Sequence, residues 1–157
     1  MRDFFLSFTM NFSIRVYGIL THNKQVLVTD EYRFGRSFTK FPGGGLEFGE
    51  GTIACLVREF KEELDLEIQV TEHFYTTDFF QASAFHSKTQ ILSIYYLVKC
   101  EHPELIPVTK ICFDFPKEEG AQSFRWLNIN TLQETDLTFP IDQKVAELLQ
   151  SQASNLR

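Results

Sequence analysis

Hydrophobic and polar positions divide the chain into short runs rich in β-branched and aromatic residues, separated by polar breaks. Asn11 to Thr21 carries Phe12, Ile14, Val16, Tyr17 and Ile19 and predicts a strand. His22-Asn23-Lys24 predicts a turn, and Gln25 to Asp30 (QVLVTD) a second strand returning as a hairpin. Glu31 to Lys40 is expected to be a polar connection. Glu67 to Phe80 and Gln90 to Lys99 predict two further strands, with Gln81 to Thr89 as the loop between them. Glu101 to Gly120, with Pro103, Pro107 and Pro116, predicts irregular chain. Gln122 to Ile129, which holds Trp126, predicts a late strand. Pro140 stands near the start of a last helix, where proline is tolerated, and Ile141, Val145, Leu148 and Leu149 give that helix an apolar stripe. The tail Ser151 to Arg157 is expected to fray. Strands with one helix among them and another at the end predict an α/β layered domain with a mixed sheet, one domain over 1–157.

Phe41 to Leu66 (FPGGGLEFGEGTIACLVREFKEELDL) has a different pattern, a glycine-rich turn entering a helical period. At about 100° per residue, Ile53, Val57, Phe60 and Leu64 fall on one side, the expected core side. Glu59, Glu62 and Glu63 share another face, with Cys55 one turn before Glu59. Cys55 reads as a small, partly buried thiol rather than a nucleophile. Three neighbouring carboxylates repel one another, and Arg58 alone does not offset them. Hard dications such as Mg²⁺ or Mn²⁺ prefer oxygen ligands and would supply the missing charge. Gly43-Gly44-Gly45 lets backbone groups approach the same ions or a phosphate. Taken alone, REFKEEL is an ordinary solvated helix face; its fixed distance from the glycine turn and from Glu50 is what favours chemistry.

Composition narrows the classes. A chain of 157 residues, 43% hydrophobic, is long enough for a real core. A net charge of -6 argues against general binding to a nucleic-acid backbone, which needs a basic face. The three cysteines, Cys55, Cys100 and Cys112, are odd in number and lack C-x-x-C spacing, so a disulfide framework is not expected and a reducing, cytoplasmic setting is. No apolar run reaches the roughly 18 residues a membrane span needs. The opening MRDFFLSFTMNFS reads as a first strand or arm and not as a signal peptide.

The glycine turn and acidic helix resemble the signature of the Nudix hydrolases: Gly, five residues, Glu, seven residues, then Arg-Glu-aliphatic-x-Glu-Glu-x-Gly-aliphatic. Gly44, Glu50 and Arg58-Glu59-Phe60-Lys61-Glu62-Glu63-Leu64-Asp65-Leu66 match at seven of nine specified positions, including every charged one. Phe60 replaces an aliphatic residue. Asp65 replaces a glycine that would end the helix in the left-handed conformation. The resemblance spans Gly44 to Leu66 directly, and PGGG before it and FRWLNI after it are similar to the family too.

The resemblance implies an α/β/α sandwich and a metal-dependent hydrolase of nucleoside diphosphate derivatives, acting on a small molecule with Mg²⁺ or Mn²⁺. It implies Glu59 and Glu63 as main metal ligands, joined by Glu62 and the carbonyl of Gly44. It implies Arg58 and Glu50 as a pair that orients the glutamates. Family members place the general base differently, which leaves Glu62 within the signature and Glu118 or Glu119 on a later loop. Arg33, Arg36 and Lys40 are candidates for meeting an anionic substrate, and Tyr75, Phe79, Phe80 and Phe85 for an aromatic wall. The proline that ADP-ribose-specialised members often carry about sixteen residues past the signature is missing, since none lies between Leu66 and Pro103. A homodimer is compatible with the resemblance. The alternative expectation is a Nudix-like nucleotide-binding or regulatory module without hydrolysis.

Overall fold

The computed structural model describes residues 9–155. Its strands are β1 (Asn11–His22), β2 (Gln25–Arg33), β3 (Arg36–Lys40), β4 (Gly43–Gly45), β5 (Gln69–Thr76), β6 (Thr89–Lys99) and β7 (Gln122–Asn128). Its α-helices are α1 (Thr52–Leu64) and α2 (Pro140–Asn155). The sheet runs β3-β2-β1-β6-β5, with β4 paired to β1 and β7 to β2. β1 and β6 are parallel and the other pairings antiparallel, so the sheet is mixed, as expected.

Both faces of the sheet are covered, which is why Val16 to Leu20 reads as an unbroken apolar run. Val16, Leu20 and Leu27 pack with Leu56 and Phe60 of α1. The alternating residues Tyr17, Ile19, Val26 and Val28 pack with Ile141, Val145 and Leu149 of α2. The result is the α/β/α sandwich.

Four expectations are corrected. Glu31 to Lys40 is not a loop. β2 continues through Arg33, turns at Phe34-Gly35, and β3 returns with Glu31 opposite Phe38 and Thr29 opposite Lys40. Its polar residues point inward: Asp30 is buried and accepts bonds from Arg125 Nε (2.6 Å), Arg125 Nη2 (2.8 Å) and Thr39 Oγ1 (2.6 Å). A polar run therefore forms a strand because its buried charges are paired, Asp30 with Arg125 and Glu31 with Lys40. The core stripe of α1 is rotated from the expected one. Leu56 and Phe60 are fully buried against the sheet, Thr52 on the same side bonds the hydroxyl of Tyr96 at 2.7 Å, and Ile53 is left 54% exposed. The strand expected over Glu67 to Phe80 stops at Thr76. α2 runs on through Asn155, so Ser151 to Asn155 is helical. Of the first strand or arm expected over Met1 to Ser13, Asn11 to Ser13 open β1 and residues 1–8 lie outside the described residues.

Asp65 ends α1 at φ 50°, ψ 36°, the left-handed conformation that glycine would take. Its N–H donates to the Lys61 carbonyl at 3.0 Å and that of Leu66 to the Phe60 carbonyl at 3.3 Å, closing the helix end.

Candidate active site

β1, β2, β3, β4, β6, the second half of α1 and the start of α2 line one cavity of about 340 Å³. The stretch expected as a glycine turn is strand β4, paired with β1, and it sets the base of the cavity. Gly43 has φ 135° and lies so close to β1 that a Cβ would stand 2.2 Å from the Val16 carbonyl oxygen. Only glycine fits there. A Cβ on Gly44 would meet Glu59 Oε1 at 2.4 Å, so the missing side chain is the space the Glu59 carboxylate fills.

Arg58 organises the helix glutamates. Its Nε donates to Glu50 Oε2 at 2.9 Å and its Nη2 to Glu50 Oε1 at 2.6 Å, a two-pronged pair. Nη2 also donates to the Gly45 carbonyl at 3.2 Å, and Nη1 to Glu59 Oε1 at 3.1 Å and Glu62 Oε2 at 3.3 Å. The Arg58 bonds hold the Glu50 carboxyl down at about 2, helped by the Glu47 N–H. Arg58 is thus a clamp linking β4, the loop carrying Glu50 and the face of α1.

Glu59 and Glu63 line the cavity, and Glu62 does not; its side chain is 60% exposed. Glu63 Oε2 is buried without a hydrogen-bond partner. Burial raises the Glu63 pKa, Lys40 opposes the rise, the charges of Glu31 and Glu59 add to it, and the Gln122 side chain near the carboxyl lowers it. An orphaned carboxylate oxygen among other carboxylates is a donor set suited to a hard dication. The cradle over Glu59 at Gly44 is consistent with it. The helix carboxylates do not converge on one point: no three His, Cys, Asp or Glu side chains among the described residues form an ion-holding group.

Lys40 is buried against Glu31, Nζ to Oε1 2.8 Å, and donates to the Gly43 carbonyl at 2.9 Å. Burial works against the Lys40 charge, but Glu31 and Glu63 outweigh it and its pKa is raised. Arg33 lines the cavity and pairs with Glu31 at 3.3 Å. Arg36 stands outside the lining, donating to the Ala84 carbonyl at 3.4 Å with its guanidinium over the Phe85 ring. Phe79 also lies outside it, and the aromatic wall is instead Phe34, Phe38, Phe85 and Phe139, with ring centroids 5.1 to 6.0 Å apart. Glu118 and Glu119 are exposed and outside the lining; Glu119 Oε1 accepts the Phe34 N–H at 2.8 Å. Cys55 is buried, and burial raises its thiol to about 12, which removes it as a nucleophile.

Sequence reasoning missed Glu31, Arg15 and Asp142, which also line the cavity. Ser13 and Arg15 alternate with the apolar side of β1, a period of two that could have shown a polar cavity face. Glu31 carried no signal once its stretch was read as a loop. Asp142, in the first turn of α2, reads from sequence as a helix-dipole acid. It is buried instead, accepts from the Tyr95 hydroxyl at 2.7 Å, and is raised by burial to about 7.

A mixed sheet between two helices, with the glycine strand β4 and an arginine-clamped glutamate helix on its cavity, makes this an α/β/α sandwich with a carboxylate-rich site. The NUDIX domain family matches residues 12–149, and the chain belongs to it. It is a Nudix-type hydrolase, in a family that acts on nucleoside diphosphate derivatives with the help of divalent metal. Sequence comparison finds no match among curated proteins. Among solved structures the chain is similar to the E. coli ORF135 protein (18% identity, 93% of this chain and 94% of that one, TM-score 0.65). It is also similar to a NUDIX hydrolase from Nitrosomonas europaea (17% identity, 89% of each, TM-score 0.66). A third is a MutT structure from a study of Aliivibrio salmonicida and Vibrio cholerae (23% identity, 90% of this chain and 99% of that one, TM-score 0.56). At these identities the likeness is one of fold. No helix among the described residues is long and apolar enough to cross a membrane.

Proposed function

We propose that this chain, acting as a single domain, uses Mg²⁺ or Mn²⁺ to hydrolyse the diphosphate linkage of a nucleotide, nucleotide sugar or dinucleotide. The observation that carries the reading is the partnerless Glu63 Oε2 on the same helix as Glu59, whose carboxylate packs on Gly44 of β4. Glu59, Glu63 and the Gly44 carbonyl would hold the ion, with Glu62 joining from the neighbouring face. When bound, such an ion neutralises charge on the phosphoryl oxygens and lowers the pKa of a water.

The protein's own groups do the rest. Arg58, fixed by Glu50, orients Glu59 and Glu62 through its Nη1. Lys40 and Arg33 meet the diphosphate from the β2–β3 side, and the four-phenylalanine wall excludes water and flanks the base. Arg36 serves by holding Phe85. Of the base candidates, Glu62 stands on the same helix as Glu59 and Glu63. Glu119 is engaged with the backbone of Phe34.

The test is a panel of nucleoside di- and triphosphates, nucleotide sugars and dinucleotides, with and without Mg²⁺, read by mass. Metal-dependent release of a nucleoside monophosphate supports the proposal. Tight binding with no hydrolysis of any member replaces it with the binding-module reading.

A further inference from the structure

A carboxylate inside a cavity that takes a diphosphate opposes binding, because like charges repel most where water is scarce. Glu31 is such a carboxylate. It is 3% exposed and lines the same cavity as Glu59 and Glu63. Its Oε1 lies 2.8 Å from Lys40 Nζ and its Oε2 3.3 Å from Arg33 Nε. One carboxylate therefore serves two cations, and the three groups together carry one net positive charge. Arg15 is the remaining cation of the lining, against the carboxylates of Glu59, Glu63 and Asp142. With Asp142 raised to about 7, the side chains offer little net charge of either sign. A buried ion pair adds little net stability over apolar residues of the same volume, so folding alone is a weak reason for this charge to be here.

A diphosphate capped at both ends carries one negative charge per phosphate. A terminal phosphate titrates near pH 6 and adds up to a second charge of its own. We propose that Glu31 is a specificity-determining residue: by cancelling one of the two cations on the β2–β3 wall, it fits the cavity to a diphosphate bridging two groups and disfavours a terminal triphosphate. This rests on the diphosphate-hydrolase reading above.

The test uses Glu31→Gln, Arg33→Gln and the double variant in the full chain. Their kcat/KM is measured for a dinucleotide and for a nucleoside triphosphate of the same base, with Mg²⁺. Glu31→Gln shifts the ratio toward the triphosphate by roughly tenfold. Arg33→Gln shifts it the other way, and the double variant returns near the wild-type ratio. The Arg33 side chain is half exposed, so its variant folds even if Glu31→Gln, which leaves Lys40 without its partner, does not. The sign of the Arg33→Gln shift then decides. A folded Glu31→Gln or Arg33→Gln with an unmoved ratio, or both shifting the same way, overturns the proposal. Calorimetry with a methylene-bridged dinucleotide and an imidotriphosphate reads the same ratios as binding. If the wild type cleaves nothing, the hydrolase reading fails, while the binding ratios still decide what Glu31 does.

Discussion

Gly44→Ala separates the site from the fold. An ideal Cβ there would stand 2.4 Å from Glu59 Oε1, 2.5 Å from Cδ and 2.7 Å from Oε2. Ordinary Cβ contacts begin near 3.4 Å, so the carboxylate has to retreat by about 1 Å. The colliding atoms are the end of a flexible side chain, and Gly44 itself lies outside the left-handed region. Relief costs an altered rotamer, about 1 kcal/mol, and a melting temperature lower by only a few degrees. The Glu59 carboxylate, however, leaves its position against Arg58 Nη1, where it now sits at 3.1 Å. A displacement of about 1 Å among groups that position a reaction costs on the order of 100-fold in rate. Metal-dependent turnover measured beside thermal unfolding gives both numbers. A large loss of kcat/KM in a protein that melts normally is the expected result. Wild-type turnover with an unchanged Mg²⁺ requirement would show that the Glu59 position does not matter, and the assignment would fall.

Three further outcomes follow from single residues. Asp65→Gly should raise the melting temperature by about 2–4 °C, because glycine takes the left-handed cap without strain; losing the exposed Lys61–Asp65 pair offsets little of it. Asp142 has a folded pKa raised to about 7 from an ordinary 3.8, so the folded chain binds the extra proton between those values and loses stability as pH rises through them. Urea unfolding of wild type at pH 5 and pH 7.5 should show that decline, on the order of a few kcal/mol, and Asp142→Asn should flatten it; equal slopes would count against the buried carboxylate. Cys55 should resist iodoacetamide at pH 8 in the folded protein, and rapid labelling there would contradict its raised pKa.

The architecture was legible because both-face burial leaves dense apolar runs at β1, β2 and β6, and the signature spacing located the cavity base. The β2–β3 hairpin was not. Its inward residues, Asp30, Glu31, Thr39 and Lys40, are polar, and a polar run looks like a loop until the partner of each group is known. The phase of α1 differs for another reason: the apolar spacing that faces the sheet is Leu56, Phe60 and Leu64, with the Thr52–Tyr96 bond on the same side, and not the one that begins at Ile53. Within the site, Glu59 and Glu63 line the cavity together from one helix turn. Glu31 and Asp142 come from strands and helices far apart in sequence, and no spacing rule joins them. The aromatic wall shows the same limit, since Phe34, Phe85 and Phe139 meet only through tertiary packing.

The central claim is that the Glu63 carboxylate, with its partnerless buried oxygen, takes part in holding the ion that the hydrolysis needs. Glu63→Gln keeps the shape and removes the charge. Mn²⁺ binding followed by electron paramagnetic resonance, together with Mg²⁺-dependent turnover of the best panel substrate, tests it most directly. The account predicts a folded variant with Mn²⁺ affinity reduced by at least roughly tenfold and most turnover lost. A folded Glu63→Gln that binds Mn²⁺ and turns over like wild type would contradict it.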